Sequence, residues 1–265
     1  MNRTTVVFLV FCAIFAFLLR WYLMPTHLFF GPEQGRDFLA IRDIVYEKNF
    51  TLIGPKTDFS GVFHGPLYYY IASIPFALSR GNPLVVSLTL TFIQALTVFL
   101  AYALGKEASG KREVGLITAL LFAVSYGSIV YSRWLTQVPL AIPFSFLLLW
   151  QLIRFLNGQK RALIFVAVAA GLMGQVQFIY FFFMPIFMIY LILRFRKQFL
   201  WTPVPIILWS IVSYILVGLG TYIFFDLRHQ FLISKSILSA FMTDQHSTFS
   251  LDSITLFIRW VAMFI

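Results

Sequence analysis

The sequence predicts an all-α fold, a polytopic transmembrane helical bundle, on two observations. Hydrophobic residues make up 60% of the chain and charged residues 11%, against roughly 25% charged in a soluble domain. Apolar runs long enough to cross a hydrocarbon core of ~30 Å, about 20 helical residues each, recur along the whole length. These runs lack the alternation of barrel strands, so helices must satisfy their own backbone groups in lipid.

Spanning helices are expected at about 4 to 24, 84 to 105, 113 to 131, 138 to 155, 162 to 176, 178 to 193 and 203 to 225, with an eighth starting near 252. The fifth and sixth are short enough to be one kinked helix. Arg3 and the apolar run Thr5 to Leu19 have the outline of a secretory signal, but no small-x-small cleavage site follows. The first helix is therefore read as uncleaved, with Arg20-Trp21-Tyr22 as an interfacial anchor. Cys12, the single cysteine, lies inside that helix and has no partner for an intrachain disulfide. The chain stops at Ile265 inside an apolar segment, which suggests the N-terminal part of a longer protein with its C-terminal part missing.

Lys and Arg cluster at Arg3, at Lys106, Lys111 and Arg112, at Arg154, Lys160 and Arg161, and at Arg194, Arg196 and Lys197. Placing all four clusters in the cytoplasm satisfies the positive-inside rule at every turn. The N-terminus is then cytoplasmic, in a plasma or inner membrane. The net charge of +10 becomes a topology signal, and no basic-aromatic surface suggests nucleic acid.

The non-cytoplasmic face receives residues 25 to 82, a polar loop holding Glu33, Asp37, Asp43, Glu47 and Asp58, half of the ten carboxylates. Arg36, Arg42, Lys48, Lys56 and Arg80 balance them one for one. Gln34 to Lys48 has helical spacing, with Phe38, Ile41 and Val45 on one face, and reads as an amphipathic helix in the interface. Gly31 and Pro32 set its start, and Glu33 stands where a helix N-terminus favours negative charge. A second interfacial helix is expected from about Pro66 to Leu78, too short to span.

Glu33 and Asp37, four residues apart, share one face of the first of these helices. A carboxylate there is tuned upward by desolvation and downward by Arg36, whose forked donors suit phosphate. An acid and an arginine at a lipid interface fit transfer from a phosphate-linked lipid; the same residue types also make an ordinary solvated face. The alternative classes are a transporter or lipid flippase and a noncatalytic assembly subunit. The first needs ionisable groups at mid-membrane, where this chain has almost none. The second predicts function without Glu33 and Asp37.

The order of features resembles family 39 glycosyltransferases of the GT-C fold, the group of protein O-mannosyltransferases and lipid A aminoarabinose transferases. The features are a first spanning helix, an acid just outside it, an Arg three positions on, the Ala40-Ile41-Arg42-Asp43-Ile44-Val45 stretch and a Gly-Pro-Leu-Tyr turn. The resemblance implies a polyprenyl-phosphate sugar as donor, an acceptor hydroxyl on a protein, lipid or glycan, and inversion at the anomeric carbon on the non-cytoplasmic face. It puts Glu33 in the place of the catalytic Asp, Gln34 in that of the following Glu and Arg36 in that of the donor-phosphate arginine. His64-Gly65-Pro66-Leu67 stands for the family's Lys-Pro-Pro-Leu turn, and Gln137 holds the place of a second family acid. The base is left between Glu33 and Asp37.

Arg133 is a candidate donor-phosphate ligand, and His64, Tyr68, Gln137, Asp226 and Arg228 are candidate substrate contacts. Each has a plainer reading: Arg133 as an interfacial anchor, Asp226 and Arg228 as a helix-end charge cluster. Gln94 is expected to bond between helices, and Gln175 and Gln177 to satisfy a broken backbone. His27, His64, His229 and His246 lack metal-ligand spacing, so neither a metal nor another cofactor is expected. Membrane lipid is the expected surround of the whole domain, 1 to 265.

Overall fold

The computed structural model describes residues 2–242; the helix expected near 252 lies outside the described residues. Among the described residues fifteen α-helices follow one another, with isolated bridges the sole β pairings. The fold is all-α, as the sequence predicts.

Helix α1 (Arg3–Trp21) is capped by Asn2, whose side chain accepts from the Thr5 N–H at 3.0 Å. The single turn α2 (Met24–His27) leads to α3 (Pro32–Tyr46). Pro32 starts α3 with its ring in the first turn, and Gln34 reaches back to accept from the Gly31 N–H at 2.9 Å. The buried face of α3 is Gln34, Asp37, Phe38, Ile41 and Ile44. Val45, expected on that face, packs partly buried against the same core beside buried Ile44, as the helix lies on α4 (Leu67–Ser79) around Phe38, Ile41, Tyr68, Tyr69 and Phe76.

Helices α5 (Pro83–Ala95) and α6 (Thr97–Ser109) run together as one apolar helix of 27 residues. Helix α7 (Arg112–Ala123) ends at Val124, and α8 (Tyr126–Tyr131) resumes after a break the sequence did not signal. Helix α9 (Ala141–Leu156) is preceded by a tight turn over Val138–Leu140. Helices α10 (Ala162–Val176) and α11 (Tyr180–Arg194) are separate, so the kinked-helix alternative fails. The turn α12 (Arg196–Leu200) leads to α13 (Val204–Tyr214), a π segment at Ile215–Leu219 and α14 (Gly220–Arg228), continuous over 25 residues. The π segment lies against α10, where a Cβ on Gly171 would sit 2.9 Å from the Gly218 nitrogen. Gln175 donates to the Gly218 carbonyl at 2.7 Å and to Thr221 at 3.0 Å, so its amide serves the irregular backbone of the π segment and not the break between α10 and α11 where it is expected to act. Helix α15 (Leu232–Met242) follows.

Four of these helices, Arg3–Trp21, Pro83–Ser109, Val138–Leu156 and Val204–Arg228, are long and apolar enough to cross a membrane. The loops sort into two ends. Asn157 donates to Glu107 at 3.1 Å and Lys160 to the Gln198 carbonyl at 2.9 Å, gathering the basic turns at one end. At the other end Gly65 N–H donates to the Gln175 carbonyl at 2.8 Å, and Phe29 pairs with Trp134.

Arg20 corrects the expectation of an interfacial anchor: it is fully buried. Its guanidinium donates to Gln94 Oε1 at 3.1 Å, to the Ala16 and Ala123 carbonyls at 2.9 and 3.0 Å, to the Phe122 carbonyl at 3.3 Å and to Ser128 Oγ at 2.7 Å. The carbonyls at the C-terminus of α7 are the negative end of a helix dipole, which offsets the buried charge. Gln94 bonds between helices, as expected. Arg20→Leu strands several buried acceptors at once, at about 1–3 kcal/mol each; purified protein in detergent should therefore unfold at a markedly lower temperature than wild type, and an unchanged midpoint would contradict the buried role.

Candidate functional site

The polar end of the bundle holds two adjoining clefts. The smaller, about 330 Å³, is lined by Glu33, Gln34, Asp37, Trp134, Gln137 and neighbours. The larger, about 440 Å³, runs between the Asn49 to Lys56 loop and the end of α14, with Phe50, Leu52, Ile53, Phe63 and Phe225 on its apolar walls and Arg228 and His229 beside them. Arg36 and Lys56 line both.

Asp37 and Tyr69 form the partition. Asp37 is almost wholly buried, and its Oδ1 accepts from Tyr69 OH at 2.9 Å and from Arg36 Nε and Nη2 at 3.1 and 3.0 Å. No hydrogen bond reaches Oδ2 among the described residues, and Asp37 faces the smaller cleft. Burial pushes its pKa up; Arg36 and the Tyr69 hydrogen bond pull it down without cancelling the rise. The carboxyl is thus held more basic than an ordinary Asp, beside a guanidinium with 40% of its side chain exposed. Glu33, one turn earlier on α3, is exposed at the rim of the same cleft.

The loop carrying Lys56 is closed on itself by backbone bonds and joined to α10 through Gly65. Gly54 N–H donates to the His64 carbonyl and His64 N–H to the Pro55 carbonyl, each at 2.8 Å, with Lys56 opposite Phe63. His64 Nδ1 accepts from the Phe178 N–H at 3.1 Å. Burial drives the His64 pKa down to about 4, so the ring is neutral at pH 7 and acts as a latch. Lys56 supplies the cation that His64 does not.

Several expected contacts lie elsewhere. Tyr68 is fully buried and donates to the Leu135 carbonyl at 3.3 Å, away from both clefts; helix phase brings Tyr69 to the site instead. Arg133 donates to the Tyr22 carbonyl at 3.1 Å, tying α8's end to α1, and lines neither cleft. Asp226 spends both oxygens capping α15, accepting from Ile233 N–H at 2.8 Å and from Ser234 N–H at 3.1 Å and Oγ at 2.6 Å. Gln137 and Arg228 do reach the clefts. Sequence reading passed over Lys56, Tyr69, Trp134 and His229. Lys56 had a signal, as the one Lys or Arg between Lys48 and Arg80.

Asp43 is paired with Arg42 at 2.9 Å on the surface, and no group of three metal-ligating side chains occurs among the described residues. A cleft with a basic carboxyl, two cations and amides can bind a phosphate and deprotonate a hydroxyl beside it.

A family model described as dolichyl-phosphate-mannose-protein mannosyltransferase matches residues 63–226, well over half of the chain. It takes in Tyr69, Trp134 and Gln137, stops two residues short of Arg228, and starts after α3. No curated protein and no solved structure matches.

Removing the Tyr69 hydroxyl takes away an interaction that favours the Asp37 carboxylate, so Tyr69→Phe should move the Asp37 titration to still higher pH. Carboxyl carbon NMR of aspartate-labelled protein reads this directly; a downward shift would show the hydrogen bond assigned wrongly.

Proposed function

The chain belongs to the dolichyl-phosphate-mannose-protein mannosyltransferase family, membrane glycosyltransferases of the GT-C type, and from that premise we propose that it moves a sugar from a polyprenyl-phosphate donor to an acceptor hydroxyl, with Asp37 as base. The observation that carries this reading is the Asp37 carboxyl, one oxygen triply bonded and the other uncommitted, in a cleft wall that Arg36 and Lys56 share with the next cleft.

The donor phosphate sits at the neck, between Arg36 and Lys56. Its polyprenyl chain lies along Phe50, Leu52, Ile53, Phe63 and Phe225, and its sugar enters the smaller cleft. The acceptor O–H gives its proton to Asp37 Oδ2 as its oxygen attacks C1. The bond from C1 to the phosphate oxygen breaks, and polyprenyl phosphate leaves with the electron pair. Arg36 and Lys56 hold the charge that grows on that oxygen. A single displacement inverts the anomeric centre, and the proton passes from Asp37 to water. Glu33 is a second acid at the rim that accepts from sugar or acceptor hydroxyls. The basic turns face the cytoplasm and the clefts the other side, supported by the Lys/Arg distribution.

Asp37→Asn should lower release of polyprenyl phosphate by about 10²-fold or more, while Glu33→Gln should cost less; equal rates in Asp37→Asn and wild type would remove the base. Stability supplies an independent check. A carboxyl whose pKa is raised in the fold contributes stability when protonated, and that contribution is lost as pH rises from ~3.9 through the folded value. At pH 7 the Asp37→Asn protein should therefore melt no lower than wild type, and a large drop would assign Asp37 to structure. Orientation is read by impermeant thiol reagents, which should label Thr57→Cys from outside and Ser109→Cys only after permeabilisation.

A further inference from the structure

Two glutamines line the smaller cleft while more than nine-tenths buried, Gln34 with 2% and Gln137 with 8% exposed. Gln34 Oε1 accepts from the Gly31 N–H. A backbone N–H can only donate, so the oxygen's place is fixed and the –NH₂ is the free end. That –NH₂ has no hydrogen-bond partner among the described residues. The Gln137 amide has none for either of its polar atoms. Gln175, equally buried, spends its nitrogen on Gly218 and Thr221. Unlike the Gln94 nitrogen, which is sealed in the bundle without a partner, the free polar atoms of Gln34 and Gln137 open onto the cleft. Two such amides in one cleft mark a surface built to meet a ligand.

The same cleft has an aromatic side. Trp134 is half-exposed, its ring held edge-on by Tyr131 at 5.2 Å and its backbone bridged to Phe29, which also lines the cleft. The ligand that fits has an apolar face for the indole and, around its edge, groups that accept from –NH₂ and donate to a carbonyl. An amide offers both on one plane. Neighbouring hydroxyls on a sugar ring match it, one oxygen accepting from nitrogen while the next hydroxyl donates to Oε1. Glu33 takes further hydroxyl hydrogens at the rim. The cations stand at the neck, where the phosphate attached to that ring lies.

We propose that Trp134 and Gln137, with Gln34, form the subsite that reads the donor's sugar ring, and that Gln137 decides which ring substituents are accepted. The proposal rests on the glycosyl-transfer reading. A neutral amide at this position suits hydroxyls and offers no carboxylate to an ammonium, so the subsite selects hydroxyl over amino at the position it touches.

The test uses the purified full chain and polyprenyl-phosphate sugars that differ at single ring positions, carrying hydroxyl, hydrogen or amino. Wild type should prefer one hydroxyl over its deoxy counterpart by about tenfold or more in kcat/KM. Gln137→Ala should raise the donor KM about tenfold with a smaller change in kcat and erase that preference. Gln137→Glu should move it toward the amino sugar. Trp134→Ala should raise KM for every donor and Trp134→Phe should restore most of it. Sugar-free polyprenyl phosphate should inhibit wild type, Gln137→Ala and Trp134→Ala at similar concentrations, since it reaches only the neck and the larger cleft. An unchanged donor preference in Gln137→Ala overturns the proposal. So does equal loss of polyprenyl-phosphate inhibition, which would mean that the substitution damages the whole site. A wild type that turns over no donor sinks the glycosyl-transfer reading itself, a distinct result.

Discussion

The first half of the bundle is arranged around the Arg20 guanidinium. A charge in an apolar interior is tolerated only when its donors are met by fixed acceptors, and no carboxylate lies within reach of this one among the described residues. Its partners come instead from α1, α5, the end of α7 and the start of α8, with the Phe122 ring 5.1 Å away adding a cation-π contact. Helix α7 has to stop at Val124 for its last carbonyls to turn toward Arg20. That stop releases α8 and the Ser132 to Gln137 segment to cross over the end of α1. Trp134 and Gln137 stand at the cleft because of a charge buried well away from it.

A second constraint fixes the opposite wall. The loop from Asn49 to Gly65 has almost no regular structure of its own and is held by backbone bonds to itself and to the end of α10. Gly65 is needed there, since a Cβ would drive into the Gln175 side chain. His64 closes the latch as a neutral acceptor. The ring stays neutral and spends Nδ1 on a backbone hydrogen bond, while Lys56, across the Lys56 to Phe63 bridge, is the cation of this loop at the clefts.

Much of this was legible in the sequence. Apolar runs place the helices, because in lipid a run has few other things to be, and Gly31-Pro32 places the start of α3 to the residue. Glu33, Arg36 and Asp37 were singled out by type and spacing, and they meet at one cleft. What sequence could not resolve was phase and partner. Tyr68 and Tyr69 are chemically identical neighbours about 100° apart on a helix, and only the packing of α3 against α4 decides which hydroxyl meets Asp37. Arg20 beside Trp21 and Tyr22 has the pattern of an interfacial anchor, and its burial depends on α7 ending over a hundred residues later. Asp226 looked like a site acid because it lies near Arg228 and His229, yet its role is set by a helix that begins six residues on.

The two clefts also bear on how one acid can serve the proposed glycosyl transfer. Arg36 pairs with Asp37 and lines both clefts, so a phosphate arriving at the neck competes for the guanidinium that holds the carboxyl's pKa down. An anion that draws Arg36 toward itself weakens that pairing, and its own negative charge further disfavours the carboxylate. Both effects raise the basicity of Asp37 only when the donor is bound. The free enzyme keeps a quieter carboxylate, tied to Arg36 and Tyr69 at one oxygen. On the proposed reaction, basicity that rises with donor binding places the strongest base where an activated sugar is present, and the arginine proposed to steady the leaving group also sets the timing.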